Sequence, residues 1–163
     1  MPSKVLLQPR VLSSPLTLRP RPVLTLPKFI YRAMSQAQVP TFGFSERKPS
    51  GEEAALIQDV LKLYQLQPVS AAYARYDQKA TFHDPIGLAE GLESVKAQFN
   101  SMPKIFSKSE TLDLKVLDNP QVKPPSVQFA LAQNYHVKTP QTTKLVNSLI
   151  TLTVDPSTKL ITQ

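Results

Sequence analysis

The sequence predicts an α+β domain, helices first and an antiparallel sheet after them, on three observations. Between residues 50 and 99, apolar residues recur at helical spacing. From Leu112 to Val154 they alternate with polar residues at period two. Asp118-Asn119-Pro120, Pro124-Pro125, Thr139-Pro140 and Asp155-Pro156-Ser157 separate the alternating stretches, and all are turn chemistry.

Ser50 can cap a helix whose first turn carries Glu52 and Glu53, as the positive end of a helix dipole favours. Ala55, Leu56, Val60, Leu63 and Tyr64 give it an apolar face over about four turns. Pro68 interrupts that pattern, and a second helix is expected from Val69 to Arg75, with Ala72, Tyr73 and Tyr76 toward its end. A strand follows from Ala80 to Asp84, then a short loop, then a helix from Leu92 to Phe99 with Leu92, Val95 and Phe99 on one stripe. Leu112, Leu114 and Val116 share one face of the next strand, opposite Asp113 and Lys115. Val127, Phe129 and Leu131 share a face and bring Gln133 and Tyr135 with them. Val146, Ile150, Leu152 and Val154 form the apolar side of the last long strand, with Ser148 among them.

Composition removes several classes of function. With 163 residues the chain is one domain plus an extension, large enough to bury a core without a staple. There is no cysteine, so disulfides, thiolate nucleophiles and thiolate metal sites are excluded together. Gly43, Gly51, Gly87 and Gly91 are too scattered for a dinucleotide or phosphate loop, so no cofactor is expected. Only two histidines occur, with no paired spacing on one element, so no metal site is expected either. No apolar run approaches the ~18 residues that cross a bilayer, so no membrane span is expected.

The net charge of +7 is concentrated at one end. Residues 1–45 hold Lys4, Arg10, Arg19, Arg21, Lys28 and Arg32 and no acidic residue, while the rest of the chain is close to neutral. A nucleic-acid-binding surface would carry its basic residues on the folded domain, so no nucleic-acid partner is expected. Pro2, Pro9, Pro15, Pro20, Pro22, Pro27 and Pro40 forbid a long helix in the extension. Residues 1–49 are therefore expected to be a disordered, basic, proline-rich extension, its Pro40–Pro49 end a linker into a domain over 50–163. Only Lys28–Met34 could form a short amphipathic turn, with Phe29, Ile30 and Ala33 on one face. Basic, serine-containing and free of acid, the extension has the composition of a mitochondrial transit peptide. The alternatives are an untargeted basic tail or, if translation starts at Met34, a cytoplasmic protein.

The stretch from Tyr73 to Phe99 carries a resemblance. Tyr73-Ala74-Arg75-Tyr76-Asp77 ends a helix, Phe82-His83-Asp84-Pro85 ends a strand, and Gly91 opens the next helix. Over roughly residues 52 to 161 this resembles the nuclear transport factor 2-like superfamily, in its SnoaL-like or ketosteroid-isomerase-like branch. The resemblance implies a cone: N-terminal helices packed on a curved, mainly antiparallel sheet around an internal cavity. Members usually continue past the final turn with a full strand that pairs back along its predecessor. Here Leu160-Ile161-Thr162-Gln163 ends the sequence as that strand begins, so an incomplete last strand and a truncated product are expected.

The resemblance places Tyr73 and Tyr76 near the cavity rim and Asp84 at the end of the first strand. Asp84, His83 and His136 are the candidate acids and bases, with Tyr73, Tyr76, Phe82 and Tyr135 as candidate ligand-binding residues and Asn134 as a further polar group. His83 and Asp84 are neighbours on a strand, so they face opposite ways and are rivals rather than a dyad. The plainer reading of Asp84 is a carboxylate that caps the turn after its strand, with Pro85 holding it extended. His136 alternates with Gln128, Ala130, Ala132 and Asn134, a small and polar face that is either the solvent side or the floor of a polar cavity. The Tyr73/Tyr76 pair more often packs at a core edge than donates to a substrate. Three functions stay open: a domain binding a small hydrophobic molecule; a module that interacts or homodimerises through the outer sheet face; and an isomerase, dehydratase or cyclase type of enzyme. The first is favoured.

Overall fold

The computed structural model describes residues 38–163. The first 37 residues, with the Lys28–Met34 window and the targeting expectation, lie outside the described residues. The elements in chain order are β1 (Ser45–Glu46), α1 (Gly51–Tyr64), α2 (Ser70–Tyr73), β2 (Thr81–His83), β3 (Leu88–Glu90), α3 (Leu92–Ile105), β4 (Phe106–Asp118), β5 (Val127–Val137) and β6 (Thr142–Leu152). Strands β1, β4, β5 and β6 form one antiparallel sheet in that order, and β2 and β3 form a separate hairpin.

Helix α1 starts where its capping chemistry places it. The Ser50 hydroxyl accepts from Glu53 N–H, and the Glu53 carboxylate accepts from Ser50 N–H, a reciprocal box that stabilises by about 1 kcal/mol. Leu56, Ile57, Val60 and Leu63 then recur at three and four, and all are buried against the sheet. Helix α3 opens at Gly91, whose φ of 80° suits glycine, and buries Leu92, Val95 and Phe99. Phe99 is the centre of the core. The rings of Tyr64 and Phe82 meet it edge-on, with centroids 5.5 and 5.2 Å away. Such pairs add about 1 kcal/mol each beyond the area they bury. The sheet contributes Val116, Val127, Phe129, Leu131 and Ile150 to the same core.

Several elements differ from their sequence expectations. Helix α3 continues past Phe99 to Ile105, with Pro103 in its last turn at the expense of one helical hydrogen bond. Helix α2 is a single turn, and the chain after it is held instead by Tyr76, which bridges to Ile161. Leu88–Glu90 is a strand rather than loop, returning along β2 in register Thr81–Glu90, Phe82–Ala89 and His83–Leu88. Leu112 does not share the face of Leu114 and Val116. A bulge between Thr111 and Asp113 sets it aside and leaves it exposed.

Residues 38–49 are tied to the sheet rather than linking freely. Val39 is buried and its N–H donates to the Asp113 carboxylate at 2.9 Å. Ser45–Glu46 pair with Leu117 and Asp118, and Arg47 N–H donates to the Val116 carbonyl. Val39 and Phe44 pack with Leu117, Ala130 and Ala132 on the outer face of the sheet, the face turned away from the helices. At the other end of the chain, Ile161 is fully buried and pairs with Tyr76 on one side and Val154 on the other.

Candidate functional site

The inner face of the sheet is set by the pleat. On β5, Val127, Phe129, Leu131, Gln133 and Tyr135 point toward the helices, and their partners on β6 are Leu152, Ile150, Ser148, Val146 and Lys144. The β4 bulge decides what faces them. Below it Thr111 and Ser109 oppose Gln133 and Tyr135, and above it Leu114 and Val116 oppose Leu131 and Phe129. An unbroken alternation would have turned Lys108 and Glu110 inward, so the bulge keeps two charges out of the interior.

Gln133 is only 1% exposed and every polar atom of its amide is used. Nε2 donates to the Tyr64 carbonyl (3.0 Å) and to Ser109 Oγ (2.6 Å), and Oε1 accepts from Thr111 Oγ1 (3.1 Å). Ser109 Oγ also donates to the Tyr64 carbonyl, and Gln65 donates to Thr111. This network satisfies the end of α1, whose last carbonyls have no helical partner. It is a structural knot, with nothing left over for a substrate.

Tyr76 and Tyr135 are buried and Tyr64, at the end of α1, is half-buried. Burial is the first cause in each case of a phenol pushed above its ordinary range, strongly for Tyr64 and Tyr76 and to about 12 for Tyr135. The Tyr64 hydroxyl is also raised by those of Tyr76 and Tyr135 and, least of all, by the Asp84 carboxylate. Ser109 partly offsets the shift at Tyr135. The Phe106 ring lies 4.8 Å from that of Tyr135, and Phe82 and Phe99 complete an aromatic lining with Tyr64. Such a lining favours the protonated phenols, and neither imidazole nor carboxylate lies at hydrogen-bond distance from them among the described residues.

The sequence-derived acids and bases do not converge on one another. Asp84 Oδ1 accepts from Ile86 and Gly87 N–H, both at 2.8 Å, and so closes the β2–β3 turn. His83 is exposed at the end of β2. His136 lies on the outer face: its Nε2 meets Glu110 at 2.8 Å and its Nδ1 meets Thr143 Oγ1 at 3.0 Å. Lys108 first, then His136, hold the Glu110 carboxyl below its ordinary range. The face of Gln128, Ala130, Ala132 and Asn134 is therefore the outer one, partly roofed by Val39 and Phe44. Tyr73 is raised by burial, and its hydroxyl donates to Asn100 Oδ1 at 2.9 Å. Tyr76 and Phe82 belong to the core around Phe99, while Tyr135 lies against Phe106. Tyr64, which the sequence placed only on a helix face, joins them because it ends α1 over Gln133.

A cleft of about 1050 Å³ opens elsewhere. It lies between the start of α1 and the 118–125 and 154–159 turns, lined by Arg47, Glu53, Arg75, Asp118, Pro124 and Pro156 among others. A second, shallower one of about 650 Å³ lies over β3 and α3. None of the seven candidate residues lines either cleft. In the first, both arginines are paired, Arg47 with Glu53 at 2.7 Å and Arg75 with Asp59 at 2.9 Å. No cluster of three or more metal-ligating side chains occurs among the described residues. No described helix is long and apolar enough to cross a membrane.

Helices packed on one side of a mainly antiparallel sheet, with a hairpin beside it, define the nuclear transport factor 2-like fold, and solved structures agree. A ketosteroid-isomerase-like protein from Catenulispora acidiphila, in complex with trimethylamine, superposes with a TM-score of 0.54 at 15% identity, covering 66% of this chain and 79% of that one. A proposed polyketide cyclase from Xanthomonas campestris gives 0.56 at 14% identity, covering 68% and 85%. A nuclear transport factor 2-like protein from Anabaena variabilis gives 0.54 at 14% identity, covering 71% and 88%. At such identities the likeness is one of fold. No family model and no curated protein matches the sequence.

Proposed function

We propose that this chain is a non-catalytic binding protein that takes a small, largely apolar molecule against the inner face of its sheet. The observation that carries the reading is the aromatic character of the inner side, where Tyr64 and Phe82 meet Phe99 edge-on and Tyr135 lies against Phe106, with burial raising the Tyr64, Tyr76 and Tyr135 hydroxyls. A ligand with an apolar body and one acceptor oxygen suits that lining, the rings burying the body and a phenol donating to the oxygen. An enzyme of isomerase or cyclase type needs a base at the substrate, and Asp84, His83 and His136 are each directed elsewhere. The trimethylamine complex of the Catenulispora protein supports the reading only in that a similar fold holds a small molecule.

Native mass spectrometry of the full chain tests this. A folded, low charge-state envelope carrying a reproducible excess mass of a few hundred daltons, released by organic solvent, is the expected result. A folded envelope with no excess, together with no saturable uptake of the apolar dye 1-anilinonaphthalene-8-sulfonate, would overturn it.

A second reading, homodimerisation through the outer sheet face, is favoured by Leu145 and Leu149, which lie 50% and 40% exposed there. It is the weaker one, because Val39 and Phe44 already cover the β4–β5 part of that face. For residues 1–45 we propose mitochondrial targeting, carried by their acid-free basic composition.

A further inference from the structure

Charge is unevenly spread over the domain. Helix α3 runs into β4 close to where β5 turns into β6, and at that corner Lys138 N–H donates to the Ile105 carbonyl. The stretches 103–110 and 136–144 therefore meet at one end of the sheet. Together they hold Lys104, Lys108, Lys138 and Lys144 against one carboxylate, Glu110. From residue 46 onward the rest of the chain holds nine basic and eleven acidic residues. One positive end thus sits on a domain that is otherwise slightly negative. The cleft beside α1 has no such bias, since its four cations are mixed with Glu52, Glu53 and Asp118.

Glu110 accounts for one of the four lysines. Lys108 Nζ meets it at 2.6 Å, with His136 on its other oxygen. Lys138 Nζ donates to the neutral Pro103 carbonyl at 2.7 Å, which fixes its place and leaves its charge uncompensated. Lys104, Lys138 and Lys144 meet no carboxylate among the described residues, and residues 1–45 have none to offer. Register sets the lysines around the end rather than on one face. Lys108 pairs with His136 on the outer side, Lys144 pairs with Tyr135 on the inner side, and Lys104 and Lys138 stand at the corner between them. Ile105, beside Lys104 in the chain and bonded to Lys138, is 53% exposed.

We propose that this end of the domain docks on an anionic membrane surface, Ile105 entering the headgroup layer and Lys104, Lys138 and Lys144 meeting lipid phosphates. An exposed isoleucine among uncompensated lysines offers a bilayer both apolar area and charge. A nucleic acid would be met by arginine and exposed rings. This end has no arginine, and its rings, Phe106 and Tyr135, lie against each other. An acidic peptide would be held in a groove, and neither described cleft reaches this end. Each lysine near an anionic bilayer raises partitioning about fivefold, so the three together supply about a hundredfold.

A single fluorescent label tests this, because the chain has no cysteine. Ile105→Cys in the full chain is labelled with nitrobenzoxadiazole, which brightens and shifts to the blue on leaving water. Vesicles of phosphatidylcholine with about a third phosphatidylserine are expected to brighten it severalfold, and pure phosphatidylcholine to leave it unchanged. Adding Lys104→Gln, Lys138→Gln and Lys144→Gln should raise the lipid needed about a hundredfold. Lys48→Gln, Lys79→Gln and Lys123→Gln remove the same charge elsewhere and should raise it less than about threefold. All six lysines are exposed, and the amide of Lys138→Gln still donates to Pro103, so the variants stay folded. A silent label overturns the proposal, and if the chain still sediments with the vesicles, residues 1–45 do the binding. Equal loss in the two triple variants, or an equal response to pure phosphatidylcholine, overturns it as well. So does a response to duplex DNA as strong as that to the vesicles, which would assign this end to polyanions at large.

Discussion

Gln133 Nε2 donates to the main-chain carbonyl of Tyr64 at 3.0 Å, joining the middle of β5 to the last turn of α1. The same amide holds Ser109 and Thr111 across the β4 bulge, so helix end, bulge and sheet share one polar knot. Gln133→Ala takes one of two donors from the Tyr64 carbonyl, which Ser109 still reaches, removes the acceptor of the Thr111 hydroxyl and leaves a cavity. A loss of about 2–3 kcal/mol in urea unfolding is expected. Gln133→Glu should cost at least as much at neutral pH, because it brings an unpaired charge to the same spot.

Phe99→Ala should be more severe. Its ring is met edge-on by Tyr64 and Phe82 and is almost wholly buried, so truncation opens a cavity at the junction of α1, α3 and β2. About 3–5 kcal/mol is expected by chemical denaturation, enough to unfold many domains of this size.

Glu53 links acidity to stability. Its hydrogen bonds to Arg47, 2.9 and 2.7 Å, are the first cause of a carboxyl lowered from the ordinary 4.5 to about 2, with Ser50 assisting and burial opposing. The folded pKa lies below the unfolded one, so the stabilisation is complete above about pH 4.5 and is lost as pH falls toward 2. Glu53→Gln should remove on the order of 2 kcal/mol at pH 7 and flatten the pH dependence of unfolding between pH 5 and 2. An unchanged slope in that window would contradict the assignment.

Asp84→Ala separates turn from chemistry. Loss of its two hydrogen bonds to Ile86 and Gly87 N–H should cost about 1 kcal/mol in thermal or chemical unfolding. Dye uptake by the folded protein should stay unchanged. A collapse of uptake in a folded Asp84→Ala variant would restore the carboxylate to the site.

Residues 1–45 fused to a fluorescent reporter should direct it to mitochondria. Diffuse cytosolic signal would contradict the targeting proposal.

Period and capping made much of the fold legible. Ser50 with Glu53 marks the start of α1, and the alternation from Val127 to Tyr135 marks β5 and its inner face. What escaped was set by tertiary pairing. Leu88–Glu90 is too short to show a period and becomes a strand only beside Thr81–His83. The shift at Leu112 is invisible because a bulge keeps the residue order and changes only which face each residue takes. Residues 38–49 carry the prolines and small residues of a linker, yet Val39 finds Ala130, Ala132 and Leu117, whose small outer face needed a cover. Of the proposed aromatic lining, Tyr76, Phe82 and Tyr135 were candidates in the sequence. Tyr64 was not, since an aromatic at helical spacing looks like any other core residue until Gln133 is seen beneath it.

The most direct measurement is saturation binding of 1-anilinonaphthalene-8-sulfonate to the full chain, read by energy transfer from tyrosine, since there is no tryptophan. Wild type is compared with Tyr64→Phe/Tyr135→Phe and with His83→Ala/His136→Ala. If the tyrosine-lined face is the binding site, the double phenylalanine variant loses about tenfold in affinity while staying folded, and the double histidine variant matches wild type. Affinity that survives removal of both hydroxyls and falls with the histidines would contradict it.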